Sequence, residues 1–202
     1  DPGPQGDTGP QGPPGSGLDP TLAKIEMTNW PHNGELRLSR ADLIGWTTGQ
    51  AGPSIMFSED VAPVTMSVPP RPPMADWLPL LSVSVEAPVS FRSNKKVFPL
   101  GLTLPLKLDP LRVDIQQIGG KTAIAFILNP LSFGLMFKLA FSQLYVDRLL
   151  VRVIVKCDFL QSKGQRLVDG NFIRRAGDPT GSLYPVITGD GVPGGTFESW
   201  FF

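Results

Sequence analysis

The sequence predicts a mainly β protein, in which a short triple-helical stalk carries a β-sandwich or jelly-roll-like head with one buried helix. Three observations lead there. Glycine recurs at every third position over residues 1–17, several stretches between residues 81 and 159 alternate apolar and polar side chains, and one long apolar stretch lies at 131–144. The chain therefore divides into a stalk, 1–17, and a globular head, 18–202.

In the stalk, glycine stands at Gly3, Gly6, Gly9, Gly12 and Gly15, with Pro4-Gln5, Asp7-Thr8, Pro10-Gln11 and Pro13-Pro14 between them. Only glycine fits where three chains crowd a shared axis, and proline holds φ near the value each strand of such a helix needs. A proline- and glycine-rich linker has no reason to keep a period of three through five turns. The period ends at Ser16-Gly17-Leu18. Five triplets span about 45 Å, which is marginal alone, so the head must hold the three chains together or further triplets must lie upstream. The chain begins within the repeat and lacks an initiator methionine, which favours a mature or cropped chain with more repeat before it.

These residues resemble the collagen-like stalks of bacterial surface proteins, spore-coat hairs and phage tail fibres. In those families a G-X-Y stalk carries a trimeric β head that recognises something or builds a filament. The likeness is confined to residues 1–17. At the other end, Gly194-Gly195-Thr196-Phe197-Glu198-Ser199-Trp200-Phe201 resembles the terminus of many uncharacterised bacterial proteins. Neither resemblance transfers a site.

The head's own pattern is read in order. Residues 22–28, 35–39 and 64–68 are expected as short strands, and Pro69-Pro70-Arg71-Pro72-Pro73 as a rigid spacer. Over 81–92, Leu81, Val83, Val85, Ala87, Val89 and Phe91 share one phase, the period of a half-buried strand. Pro88 has no donor, which points to an edge or a bulge. After a turn at Asn94-Lys95-Lys96, Leu100, Leu102, Leu104, Leu106 and Leu108 alternate. Beyond Asp109-Pro110, Leu111, Val113 and Ile115 continue inward, with Arg112, Asp114 and Gln116 outward. Gly119-Gly120 is a hairpin signal. The apolar run 122–128 predicts a strand covered on both faces. Residues 131–144 follow Pro130 as a helix, apolar all round and therefore buried. Within 149–159, Val151, Val153, Val155 and Cys157 share a face, and Ser162-Lys163-Gly164 and Asp169-Gly170 read as turns.

Composition narrows the function. Asp1 and Asp7 belong to the stalk, leaving sixteen acidic against eighteen basic residues in the head, which is no footprint for nucleic acid. The 19-residue window 123–141 approaches membrane-spanning length, but Asn129, Pro130 and Lys138 interrupt it, so a buried helix is the better reading. The single cysteine, Cys157, is expected as a buried, inert thiol, and no intramolecular disulfide can form. Charged residues make up 18 % of the chain, below the usual quarter, so the head has surface to cover in contacts between subunits.

No catalytic residue is identified. His32 is the sole histidine and is expected in an exposed turn, so multi-histidine metal sites are out of reach. There is no phosphate loop, nucleophile elbow or zinc pattern. The acids Asp158, Asp169, Asp178, Asp190 and Glu198 fall in the last quarter, where spaced loop carboxylates could bind calcium, but ordinary turns explain them as well. No metal or cofactor is assigned. Trp30 and Trp46 are candidates for stacking a sugar or a partner, against a core position for both. Phe197, Trp200, Phe201 and Phe202 form a candidate assembly surface that docks on the next unit, against the alternative that the tail docks on its own head.

The function expected from these features is that of a non-enzymatic extracellular or surface-exposed structural protein. It would be a homotrimer through its stalk, assembling head to tail into a fibre or appendage. The alternatives are a receptor- or glycan-binding tip of a fibre or adhesin and, with nothing pointing to it, a carbohydrate-active hydrolase.

Overall fold

The computed structural model describes residues 18–37, 40–49, 52–64, 76–93, 96–108, 110–132, 134, 144–145, 150–171 and 188–202, with the side chains of 40, 43, 87–105 and 144–145 left undescribed. The stalk, the proline-rich spacer and Asp178 lie outside these residues.

The head is mainly β and its strands pair antiparallel. One sheet holds four strands in the order β1 (Ile25–Thr28), β2 (Ser54–Phe57), β7 (Lys121–Leu128), β6 (Pro110–Ile118). A second runs β11 (Thr196–Phe201), β9 (Leu150–Lys156), β4 (Leu81–Ser93), β5 (Lys96–Lys107), with the short β8 (Leu144–Tyr145) beside the far half of β4. A two-stranded ribbon pairs β3 (Val61–Pro63) with β10 (Leu160–Ser162). Both main sheets feed one core. Ile55, Phe57, Ile124 and Phe126 from the first meet Val83, Val85, Val153, Val155, Phe197 and Phe201 from the second.

Period two placed the strands of the second sheet well. Val151, Val153, Val155 and Cys157 are all buried, and Leu81, Val83 and Val85 face the same core. Pro88 sits where β4 passes from β9, paired over Leu81–Glu86, to β8, paired at Ser90 and Phe91. The register with β5 shifts at Val89/Ser90, so a bulge stands where the missing donor called for one. Gly119 and Gly120 take φ of 59° and 80° and close the β6–β7 hairpin between Ile118 and Lys121.

Four expectations are corrected. Leu111 points out, 57 % exposed, because the register of β6 on β7 shifts between Pro110 and Arg112, and one extra residue on that strand reverses its facing. β7 is covered on both faces only at its end, where Ile127 and Leu128 are both buried. Thr122, Ile124, Phe126 and Leu128 are buried, whereas Ala123 and Ala125 floor a groove with Met27, Met56 and Ile118. The helix at 131–144 is helical at 130–132 and at Gly134, yet Leu131 is 83 % exposed and Leu144 belongs to β8. Its remaining residues lie outside the described ones. Among the described residues, no helix is long and apolar enough to cross a membrane.

The fourth correction concerns 22–68. A helix, α1 (Arg40–Thr48), occupies a stretch that had no periodic signal, and it ends where the Gly49 N–H donates to the Gly45 carbonyl at a φ of 84°. Strands form at β2 and β3, residues 35–37 are not strand, and 38–39 and 65–68 lie outside the described residues. Asp60 ties this region together. It accepts from Thr122 Oγ1 at 2.9 Å and Gln117 Nε2 at 2.7 Å, and Lys163 lies 2.8 Å away. Lys163 leads in holding that carboxyl below its usual range, with the Thr122 and Gln117 donors behind it.

Candidate functional site

Chemistry-bearing side chains converge where the C-terminal strand closes the head. β11 pairs with β9 from Thr196↔Lys156 to Phe201↔Val151. Its other edge is also taken: the Asn33 N–H donates to the Trp200 carbonyl at 2.7 Å, the Leu36 N–H to the Phe202 carbonyl at 2.7 Å, and the Phe202 N–H to the Gly34 carbonyl at 3.0 Å. Alternation then turns Phe197, Ser199 and Phe201 inward, each no more than 1 % exposed. Glu198 and Trp200 face outward. Glu198 accepts from Arg152 Nη1 at 2.8 Å, and the Trp200 indole donates to Asn33 Oδ1 at 3.1 Å.

The candidate assembly surface is thus corrected for two of its four members. Phe197 and Phe201 are core, while Trp200 and Phe202 are half-buried. The stacking pair is corrected in the same way. Trp30 is fully buried with its ring 5.8 Å from that of Phe201, and Trp46, 5 % exposed, meets Phe201 edge-on at 6.1 Å. Neither indole keeps a free face for a sugar.

His32 is not an exposed turn residue. It is 5 % exposed, its ring lies 4.3 Å from that of Trp200, and Nδ1 is 3.1 Å from Ser199 Oγ. Ser199 Oγ also accepts the Trp30 indole N–H at 3.0 Å, and the direction of its bond with His32 Nδ1 follows the tautomer of the ring. A serine beside a histidine suggests a nucleophile and its base. Here the hydroxyl is fully buried and bonded to the Trp30 indole, so the pair satisfies polar atoms within the core.

Below this network, the loops before β11 cross one another. The Asp169 N–H donates to the Ala23 carbonyl at 2.7 Å, the Gly170 N–H to Gly194 at 2.8 Å, and the Gly194 N–H to Val168 at 2.9 Å. Asp169-Gly170, expected as a turn, is therefore an extended crossing that bridges both Lys24 and Gly194. Gly194 and Gly195 hold φ of 87° and 91°, a region that side chains rarely adopt, and Gly195 receives the caps of the crossing. Its N–H donates to Asp158 Oδ1 at 2.7 Å, and its carbonyl accepts from Cys157 at 2.9 Å. The Cys157 thiol is inert: burial pushes its pKa up to about 12.

Three carboxylates border this crossing. Asp158 caps Gly195, and Asp190 accepts the Val192 N–H at 2.9 Å, which leads in holding it below the usual carboxylate range. Asp169 is buried, accepts the Gly191 N–H at 2.7 Å on Oδ2, and is raised above the usual range, chiefly by burial. Among the described residues, no group of three or more His, Cys, Asp or Glu is placed to hold a metal ion. The sequence flagged these acids and the last eight residues but could not show that they belong to one closure. The Gly-Gly pair, with inward residues two apart after it, was the signal available.

No protein-family model, curated protein or solved structure matches this chain.

Proposed function

We propose that this chain is a non-enzymatic extracellular structural protein. Three copies join through the 1–17 triple helix, each carrying a sandwich- or jelly-roll-like head, and the trimers build a fibre or surface appendage. The observation that carries this reading is the unbroken glycine period from Gly3 to Gly15, which has no stable single-chain form. The head's construction supports it: the start of the head is fastened at once, with the Asp19 N–H donating to the Gly191 carbonyl at 2.9 Å and Arg166 reaching Asp19 Oδ2 at 2.6 Å. Because Phe197 and Phe201 are spent in the core, contacts between units would draw on other apolar surface. Leu18, Ile118 and Leu131, each more than half exposed, are available for it.

The groove on the outer face of the four-stranded sheet favours a second reading, a receptor- or glycan-binding tip. Its alanine floor, two methionines and the polar Asn29, Asp114 and Gln116 are the mixture a small ligand site uses. Electron microscopy of the purified full chain at neutral pH tests the structural reading. Long regular fibres are expected; dispersed stalked trimers would defeat the structural role in favour of a tip, and single round particles with the repeat intact would overturn the trimer as well.

A further inference from the structure

We infer that the crossing of Asp169 and Asp190 is a binding site for a hard divalent cation, with calcium the ion that fits it. The argument starts from one atom. Asp169 is 2 % exposed, and while Oδ2 accepts the Gly191 N–H, Oδ1 has no hydrogen-bond partner. Among the described residues only one other buried side-chain atom is so placed, Arg152 Nε, and that guanidinium already meets Glu86 and Glu198. A bare buried carboxylate oxygen is costly enough that native proteins nearly always give it a proton, a water or an ion.

The surroundings favour the ion. Gly189 packs against Asp169 Oδ2 and Gly191 donates its N–H to it, so Asp190 between them is held beside that carboxylate. Asn171 Nδ2 approaches both Asp190 oxygens at 3.2 and 3.3 Å, long for hydrogen bonds to a carboxylate. Turned about its last bond, the amide would set its oxygen beside the Asp190 carboxylate, where a cation between them would take both as ligands. A carboxylate held by a backbone N–H on one oxygen and bare on the other is how metal-ligating acids are oriented.

The donors are all oxygen, which selects calcium over zinc or copper. Two carboxylates and an amide leave water to complete the shell, so the affinity belongs with weak extracellular sites, about 10⁻⁴–10⁻³ M. Occupancy would fasten three pieces of chain. Asp169 pairs with Ala23, Thr188 donates to the Ile25 carbonyl, and Gly191 accepts from Asp19. The ion would thereby stiffen the place where the chain leaves the stalk.

Calorimetric titration of the EDTA-treated full chain with calcium chloride, alongside thermal unfolding, tests this. Binding near millimolar and a Tm rise of about 3–6 °C at 10 mM calcium are expected. Asp169→Asn should abolish both, and Asp190→Asn should weaken binding at least tenfold, which keeps the test intact if the buried variant folds poorly. The remote Glu26→Gln should leave them unchanged. No calcium-dependent shift, or an equal shift with sodium chloride at matched ionic strength, would overturn the proposal. So would stability that rises on acidification while calcium has no effect, because a shared proton would then fill the gap. A calcium-binding monomer would leave this inference standing and remove the trimer.

Discussion

Removing Glu198–Phe202 unfolds the head; it does not release an intact head from a fibre. The segment supplies most of β11, whose two edges pair with β9 and with residues 33–36. It also carries Ser199 and Phe201, both buried. Phe201→Ala alone should cost about 3–5 kcal/mol, against a total stability for a domain of about 5–15 kcal/mol. Chemical denaturation followed by far-ultraviolet circular dichroism reads this directly. A truncated chain that keeps its β spectrum and a cooperative transition would show the strand to be an accessory.

Trp30→Ala should be nearly as damaging. It removes a fully buried indole packed on Phe201 and takes a donor from Ser199 Oγ, for a loss of about 3–5 kcal/mol. Trp30→Phe separates the two effects. It keeps an aromatic ring in place and loses the hydrogen bond, so about 1–3 kcal/mol is expected. Urea midpoints should fall from the unaltered chain through Trp30→Phe to Trp30→Ala. A surface role in stacking sugars predicts the opposite, a Trp30→Ala protein with an unchanged midpoint and lost binding.

These two results mark where the sequence was legible and where it was not. The alternation Val151, Val153, Val155, Cys157 could be read directly, because a strand with one face in the core writes its facing into every second residue. The same rule applied to Phe197, Ser199 and Phe201 would have turned both phenylalanines inward. Four aromatics near a terminus were instead read as surface in need of cover. Leu111 was misread because a bulge leaves no mark in an apolar pattern, and Ala123 and Ala125 because small apolar residues suit an open groove floor as well as a core. Helix α1 carries only a weak apolar stripe, so periodicity could not announce it. The site was the least legible part. The acids were visible, but the orphaned Asp169 Oδ1 depends on which of many loops cross, and that is decided by long-range backbone pairing between residues 23–25, 168–170 and 188–194.

The central claim, a β-rich head carried by a trimerising stalk, is tested most directly by sedimentation equilibrium on the full chain and on residues 18–202 alone. Three chains of 21.8 kDa give a particle of about 65 kDa, and the account predicts that mass, or whole multiples of it where trimers join, for the intact chain. Gly9→Ala should weaken the association while leaving the head's unfolding transition in place, because a methyl group at the crowded axis disrupts the triple helix locally. A full-length chain that sediments as a 21.8 kDa monomer with its glycine repeat intact would contradict the account.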